Sequence, residues 1–85
     1  MRILKKDLIG KVIHYYDKIG VAVIKLDKAL KTGDKIKFVK GDNEFEQTAD
    51  SLQLEHEQVP GGKKGDEIAL KVDKETGSGT LVYKA

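Results

Sequence analysis

His14 and His56 are the only imidazoles in the chain, and the second is flanked by carboxylates as Glu55-His56-Glu57. The 85 residues contain no Cys, so a zinc site would have to be assembled from both imidazoles and such acids. In an extended chain successive side chains point to opposite faces. Glu55 and Glu57 then lie away from His56, and three adjacent ligands cannot converge. No metal is expected. Nucleophilic catalysis needs a hydroxyl beside a base that is oriented by a third group. Ser51 and Ser78 stand in turn contexts with no elbow motif around either, and no catalytic residue is expected. Gly61-Gly62-Lys63-Lys64-Gly65 has the glycines of a phosphate-cradling loop. It lacks the closing Lys-Ser/Thr and leads into a strand rather than a helix. Neither a nucleotide nor any other cofactor is expected.

Binding chemistry has more to work with. Lys25, Lys28, Lys31, Lys35, Lys37 and Lys40 recur through the first half and could track phosphates. Residues 1–41 carry eleven Lys or Arg against four Asp, a balance of +7. Residues 42–85 carry five Lys against ten acids, a balance of −5, so the net charge is only +2. Tyr15 and Tyr16 are adjacent, and on a strand they face opposite ways. One can enter the core while the other stays exposed. An exposed ring beside Lys11, Lys18 or Lys25 makes a stacking-plus-charge platform for single-stranded nucleic acid. The competing reading is that lysines alternating with apolar residues form the ordinary solvent face of a strand. The RNA-facing candidates are Lys11, Tyr16, Lys25, Lys28, Lys35 and Lys37.

Short strands would have to position these residues. Leu8 to Tyr16 is rich in β-branched and aromatic residues, which suit a pleated surface. Val12, His14 and Tyr16 are expected on one face, Ile13 and Tyr15 on the other. Gly10 marks a bulge or tight bend. Asp17-Lys18-Ile19-Gly20 is a hairpin loop, and Val21 to Leu26 returns with Ala22, Ile24 and Leu26 on one face. Leu30 points inward before the turn Gly33-Asp34. Ile36 and Phe38 then alternate with Lys35 and Lys37, the period of a half-buried strand. A strand from Glu44 to Leu54 changes phase at Asp50-Ser51, which implies a break. The Val59-Pro60-Gly61-Gly62 stretch reads as a loop. The turn device recurs as Gly65-Asp66 before Ile68, Leu70 and Val72. Lys74 to Gly79 reads as a flexible loop, and Leu81 to Lys84 closes. Six short strands at turn spacings of about ten residues point to an all-β sandwich or barrel.

The order of these features resembles a known family. Gly10, Gly20-Val21-Ala22-Val23, Leu30-Lys31-x-Gly33-Asp34-x-Ile36, Ser51-Leu52-Gln53, Lys64-Gly65-Asp66-x-Ile68-x-Leu70 and Gly79-x-x-Val82-Tyr83 follow one another. The series looks like the second domain of translational GTPases such as elongation factor Tu. It also resembles the small C-terminal barrel of collagenase-like peptidases. The resemblance implies a small closed six-stranded antiparallel β-barrel over residues 8–85, with residues 1–7 as a lead-in. Gly33, Asp34, Gly65 and Asp66 serve it as structural turns.

Two functions follow from the two resemblances. The first implies a non-catalytic module that contacts RNA or a ribosome-associated protein. The second implies a protein-interaction or substrate-positioning barrel with a protein partner. Neither involves a membrane: no apolar run is long enough to span one, and Met1-Arg2-Ile3-Leu4-Lys5-Lys6 is charged too soon for an export signal. The absence of Cys fits a reducing compartment, and a cytoplasmic location is expected.

Overall fold

The computed structural model describes residues 8–54, 57–72 and 74–85. The expected lead-in at 1–7 and His56 lie outside them. Ten strands follow in chain order. They are β1 (Leu8–Tyr16), β2 (Val21–Leu26), β3 (Leu30–Lys31), β4 (Lys35–Lys40), β5 (Asn43–Thr48), β6 (Leu52–Leu54), β7 (Glu57–Val59), β8 (Gly61–Gly62), β9 (Glu67–Lys71) and β10 (Leu81–Lys84). Six were expected. The additional pieces are two or three residues long, too short for an alternating pattern to register. The break at Asp50-Ser51 is present and separates β5 from β6.

Eight of the strands form one antiparallel sheet in the order β5-β4-β10-β1-β2-β9-β6-β7, and β3 pairs with β8 in a small ribbon. A closed barrel was expected, but no ladder joins β5 to β7 among the described residues. The sheet is nevertheless strongly curled. β4 and β9 stand four positions apart, about 19 Å in a flat sheet. Yet Ile36 and Phe38 of β4 share one core cluster with Ile68 and Leu70 of β9. Gln47 Nε2 on β5 donates to the Lys71 carbonyl on β9 at 3.0 Å. A side-chain bond therefore spans the seam where a ladder was expected.

One face of every long strand lines this core. Val12, Ala22, Ile24, Leu26, Leu30, Ile36, Leu52, Ile68 and Val82 are fully buried. Phe38 stacks on Phe45 with centroids 4.9 Å apart. Each of the larger side chains among them contributes roughly 1.5–3 kcal/mol by leaving water. β1 departs from simple alternation. Its register against β2 shifts between Val12 and His14, so Ile13 is the bulged residue. Val12 faces Ile24 and Tyr15 faces Ala22, which puts both on the core side, three residues apart. Val12, His14 and Tyr16 were expected to share a face. The extra residue breaks that set, and only His14 and Tyr16 remain together, exposed on the outside with ring centroids 4.3 Å apart. A second register shift, against β10, lies between Leu8 and Gly10, where the glycine predicts it.

The two Gly-Asp turns have the same construction. Gly33 has φ 97° and Gly65 has φ 93°, a region that side chains with a Cβ rarely occupy. In the first, Asp34 N donates to the Lys31 carbonyl and Asp34 Oδ2 accepts from Lys31 N at 2.9 Å. In the second, Asp66 N donates to the Lys63 carbonyl and Asp66 Oδ2 accepts from Lys63 N at 3.0 Å. Each turn also clasps a distant strand end. Gly33 N donates to the Ala49 carbonyl and Ala49 N to the Asp34 carbonyl; Gly65 N donates to the Leu26 carbonyl and Leu26 N to the Asp66 carbonyl. Between the turns, Leu30 pairs with Gly62 and Lys31 with Gly61. A Cβ on Gly61 would lie 2.5 Å from the Leu30 carbonyl oxygen, and one on Gly62 would lie 2.7 Å from Leu26 Cδ1. The stretch read as a loop is thus a strand fitted against the core.

The segment from Lys74 to Gly79 is packed, contrary to the flexible loop expected. Thr76 and Thr80 are buried, with hydroxyls donating to the carbonyls of Lys74 and Gly77. Gly79 N donates to the Val12 carbonyl, and Lys40 Nζ to the Ser78 carbonyl at 3.2 Å. Small hydroxyl residues satisfy the backbone here, and composition alone does not reveal that.

Two stability outcomes follow. Gly33→Val and Gly65→Val are each expected to cost about 1–3 kcal/mol, because valine must hold a positive φ. For a domain of this size that lowers the thermal midpoint by several degrees, measurable by circular dichroism. Phe38→Ala is expected to cost about 3–5 kcal/mol. A midpoint unchanged by either glycine substitution would refute the turn geometry.

Candidate protein-docking groove

The structure separates the six RNA-facing candidates. Lys11 and Lys25 are direct cross-strand neighbours on β1 and β2, both exposed, and Lys25 faces Glu67 on its other side. Lys28 is exposed just beyond β2. Lys35 and Lys37 lie on β4, with β10 and β1 between them and β2. They are met by the acids of β5: Lys37 Nζ is 3.2 Å from Glu44 and Lys35 Nζ is 3.7 Å from Glu46. The Lys37 side chain is only 15% exposed. Tyr16 stands at the opposite end of β1 from Lys11, about 17 Å away at strand rise. The hairpin β4-β5 thus sets part of the basic half beside the acidic half. Of the six, Lys11 and Lys25 are the pair brought side by side from different strands.

The marked concavity is elsewhere, on the outside of β2, β9 and β6. Its floor is set by register: Val23 faces Ala69 and Ala69 faces Gln53. Ala69 is the small residue, so the surface dips over β9. One wall is the β1-β2 hairpin, with Tyr16 48% and Ile19 63% exposed and Val21 half-buried. The other is Gln53 and Leu54 of β6. Gly65, Asp66 and Glu67 close one end, and the groove encloses about 800 Å³. The exposed large apolar residues among those described are Ile13, Tyr16 and Ile19, all in this hairpin. Burial of the opposite face explains the strand pattern but not the exposure of these side chains, of which Tyr16 and Ile19 line the groove.

Sequence reasoning selected Tyr16 from this groove but not Ile19, Val23 or Ala69. The available signal was that Val21 and Val23 are apolar on the face of β2 opposite Ala22, Ile24 and Leu26, and that a β-branched residue occupies the hairpin tip. The other candidate chemistry stays apart. His14 contacts Tyr16. Among the described residues no group of three or more His, Cys, Asp or Glu could hold a metal ion. No helix among them is long and apolar enough to cross a membrane.

Comparison with known proteins gives a consistent picture. No family model matches the chain. An uncharacterized protease of Methanocaldococcus jannaschii is 35% identical over 80 residues, covering 93% of this chain. The chain spans only 20% of that protein's length. Two crystal structures of the C-terminal domain of a putative U32 peptidase from Geobacillus thermoleovorans share the fold. One has a TM-score of 0.88 at 16% identity, covering 100% of this chain and 99% of that domain. The other, a selenomethionine variant, has a TM-score of 0.86 at 18% identity, covering 91% and 98%. The likeness thus falls on the second of the two resemblances, the peptidase C-terminal barrel.

Two outcomes check the geometry. Tyr16→Ser combined with Ile19→Ser is expected to change stability by no more than about 0.5 kcal/mol per site, because both side chains are exposed; chemical denaturation measures it. A low-salt gel shift with tRNA is expected to show no discrete complex, and Lys28→Glu with Lys35→Glu is expected to leave that unchanged.

Proposed function

We propose that this chain is a non-catalytic, protein-docking domain of the type found at the C-terminus of U32 peptidases. Its role is to hold polypeptide for a catalytic domain that the chain does not itself contain. The observation that carries the reading is the 35% identity over 80 residues to a protease of which this chain matches one fifth. The whole-domain fold likeness to the C-terminal domain of a putative U32 peptidase supports it. The groove adds a physical means, since an apolar floor with exposed Tyr16 and Ile19 suits polypeptide side chains. Phosphate chains would meet Asp66 and Glu67 at its end, which disfavours RNA there.

Among the described residues the geometry offers no support for catalysis by the chain alone. A nucleophile needs a base within hydrogen-bond reach, and the contact made by His14 is with a tyrosine ring.

The test is domain exchange. The M. jannaschii protease is prepared intact, without its matching segment, and with that segment replaced by this chain. The chain alone is expected to leave fluorescein-casein uncut. Deletion is expected to lower casein cleavage relative to the intact protease, and replacement to restore it. A replacement no better than the deletion, or casein cleavage by the isolated chain, would sink the proposal.

A further inference from the structure

The groove has a floor, two walls and one charged end, and each restricts what can lie in it. β9 runs along the floor with β2 and β6 on either side. Neighbouring strands are about 4.8 Å apart, so the valley over Ala69 is about 10 Å wide, the space of one extended chain with its side chains. β2, β9 and β6 are hydrogen-bonded to one another in the sheet. An occupant therefore cannot add as a further strand, and must be held by side chains. Ala69 and Val23 offer an apolar seat, lined further by Tyr16 and Ile19.

Among the described residues, the charged ones that line the groove are both acidic, Asp66 and Glu67. Asp66 already accepts from Lys63 N. Glu67 is exposed and makes no ion pair among the described residues. Its cross-strand neighbour Lys25 is not among the lining residues. Glu67 and Ala69 point the same way on β9, about 7 Å apart along the strand. That is the distance between alternate side chains of an extended peptide.

From this spacing we infer that the groove binds an extended polypeptide segment carrying an apolar side chain, seated over Ala69, and a basic side chain two residues away, paired with Glu67. The inference rests on the reading of the chain as a peptidase-type docking domain, and it specifies the polypeptide. Recognition comes from one apolar anchor and one exposed charge pair. Such sites are selective by sequence pattern rather than tight.

Fluorescence anisotropy with the full chain tests it. The probes are fluorescein-labelled Gly-Ser-Leu-Gly-Lys-Gly-Ser and the same peptide with Glu in place of Lys. The Lys probe is expected to bind saturably and roughly threefold to tenfold more tightly than the Glu probe. Glu67→Lys is expected to reverse that order. Tyr16→Ser with Ile19→Ser is expected to weaken both, with the thermal midpoint of each variant confirming that it is folded. Several results would overturn the proposal: no saturable binding of either probe, equal binding of both, or binding unaffected by the Tyr16 and Ile19 substitutions. Displacement of the peptide by oligouridine would overturn it in favour of nucleic acid. Concentration-dependent self-association lost in the Tyr16 and Ile19 variant would assign the groove to a second copy. Restored casein cleavage in the domain exchange without peptide binding would leave the docking-domain reading standing and remove only this inference.

Discussion

One face of the eight-stranded sheet is dry although no helix or second large sheet lies over it. A sheet in that position can exclude water only by bending until it covers itself. Every other structural choice in the chain serves that bend. The bulges at Gly10 and Ile13 add curvature to β1. Gln47 reaches across the seam to β9. The Gly33-Asp34 and Gly65-Asp66 turns each hold the end of a strand, Ala49 in one case and Leu26 in the other. The β3-β8 ribbon joins the two turns back to back, so the two clasps are placed symmetrically about it.

Much of this was legible in the residues. The Lys-x-Gly-Asp-x-Ile repeat announced both turns, because glycine at positive φ and a short carboxylate that can bond the backbone leave few alternatives. Ile36, Phe38, Ile68 and Leu70 announced the buried face through simple alternation. What escaped was whatever depends on partners far away in sequence. The phase slip at Ile13, though it lies within a hairpin, leaves no mark in the residue pattern of β1. The strand character of Gly61-Gly62 comes from its fit against Leu26 and Leu30, not from any strand propensity. Closure was inferred from the need to hide edges, whereas the seam is met by a side chain.

The candidate site was legible only in outline. Charge counted along the chain overstated the basic surface, since the β4-β5 hairpin sets Lys35 and Lys37 beside Glu46 and Glu44. Tyr16, selected for stacking on nucleic acid, lies in the wall of a groove whose end carries Asp66 and Glu67. The groove exists because a small residue, Ala69, falls between larger ones on neighbouring strands. A depression of that kind is a property of register, and register is not written in any single strand.

The placement of β10 carries a kinetic consequence. The last strand in chain order lies between β1 and β4. Without it the large sheet divides into β5-β4 on one side and β1-β2-β9-β6-β7 on the other. Hairpins such as β1-β2 and β4-β5 can form from neighbouring residues within microseconds. Among the described residues no ladder joins them until Leu81 to Lys84 inserts between them. Assembly of the dry face is therefore governed by contacts of the longest sequence separation, such as Leu8 with Tyr83, the kind that slow folding most. Insertion of β10 is the event that makes one continuous sheet of the two fragments.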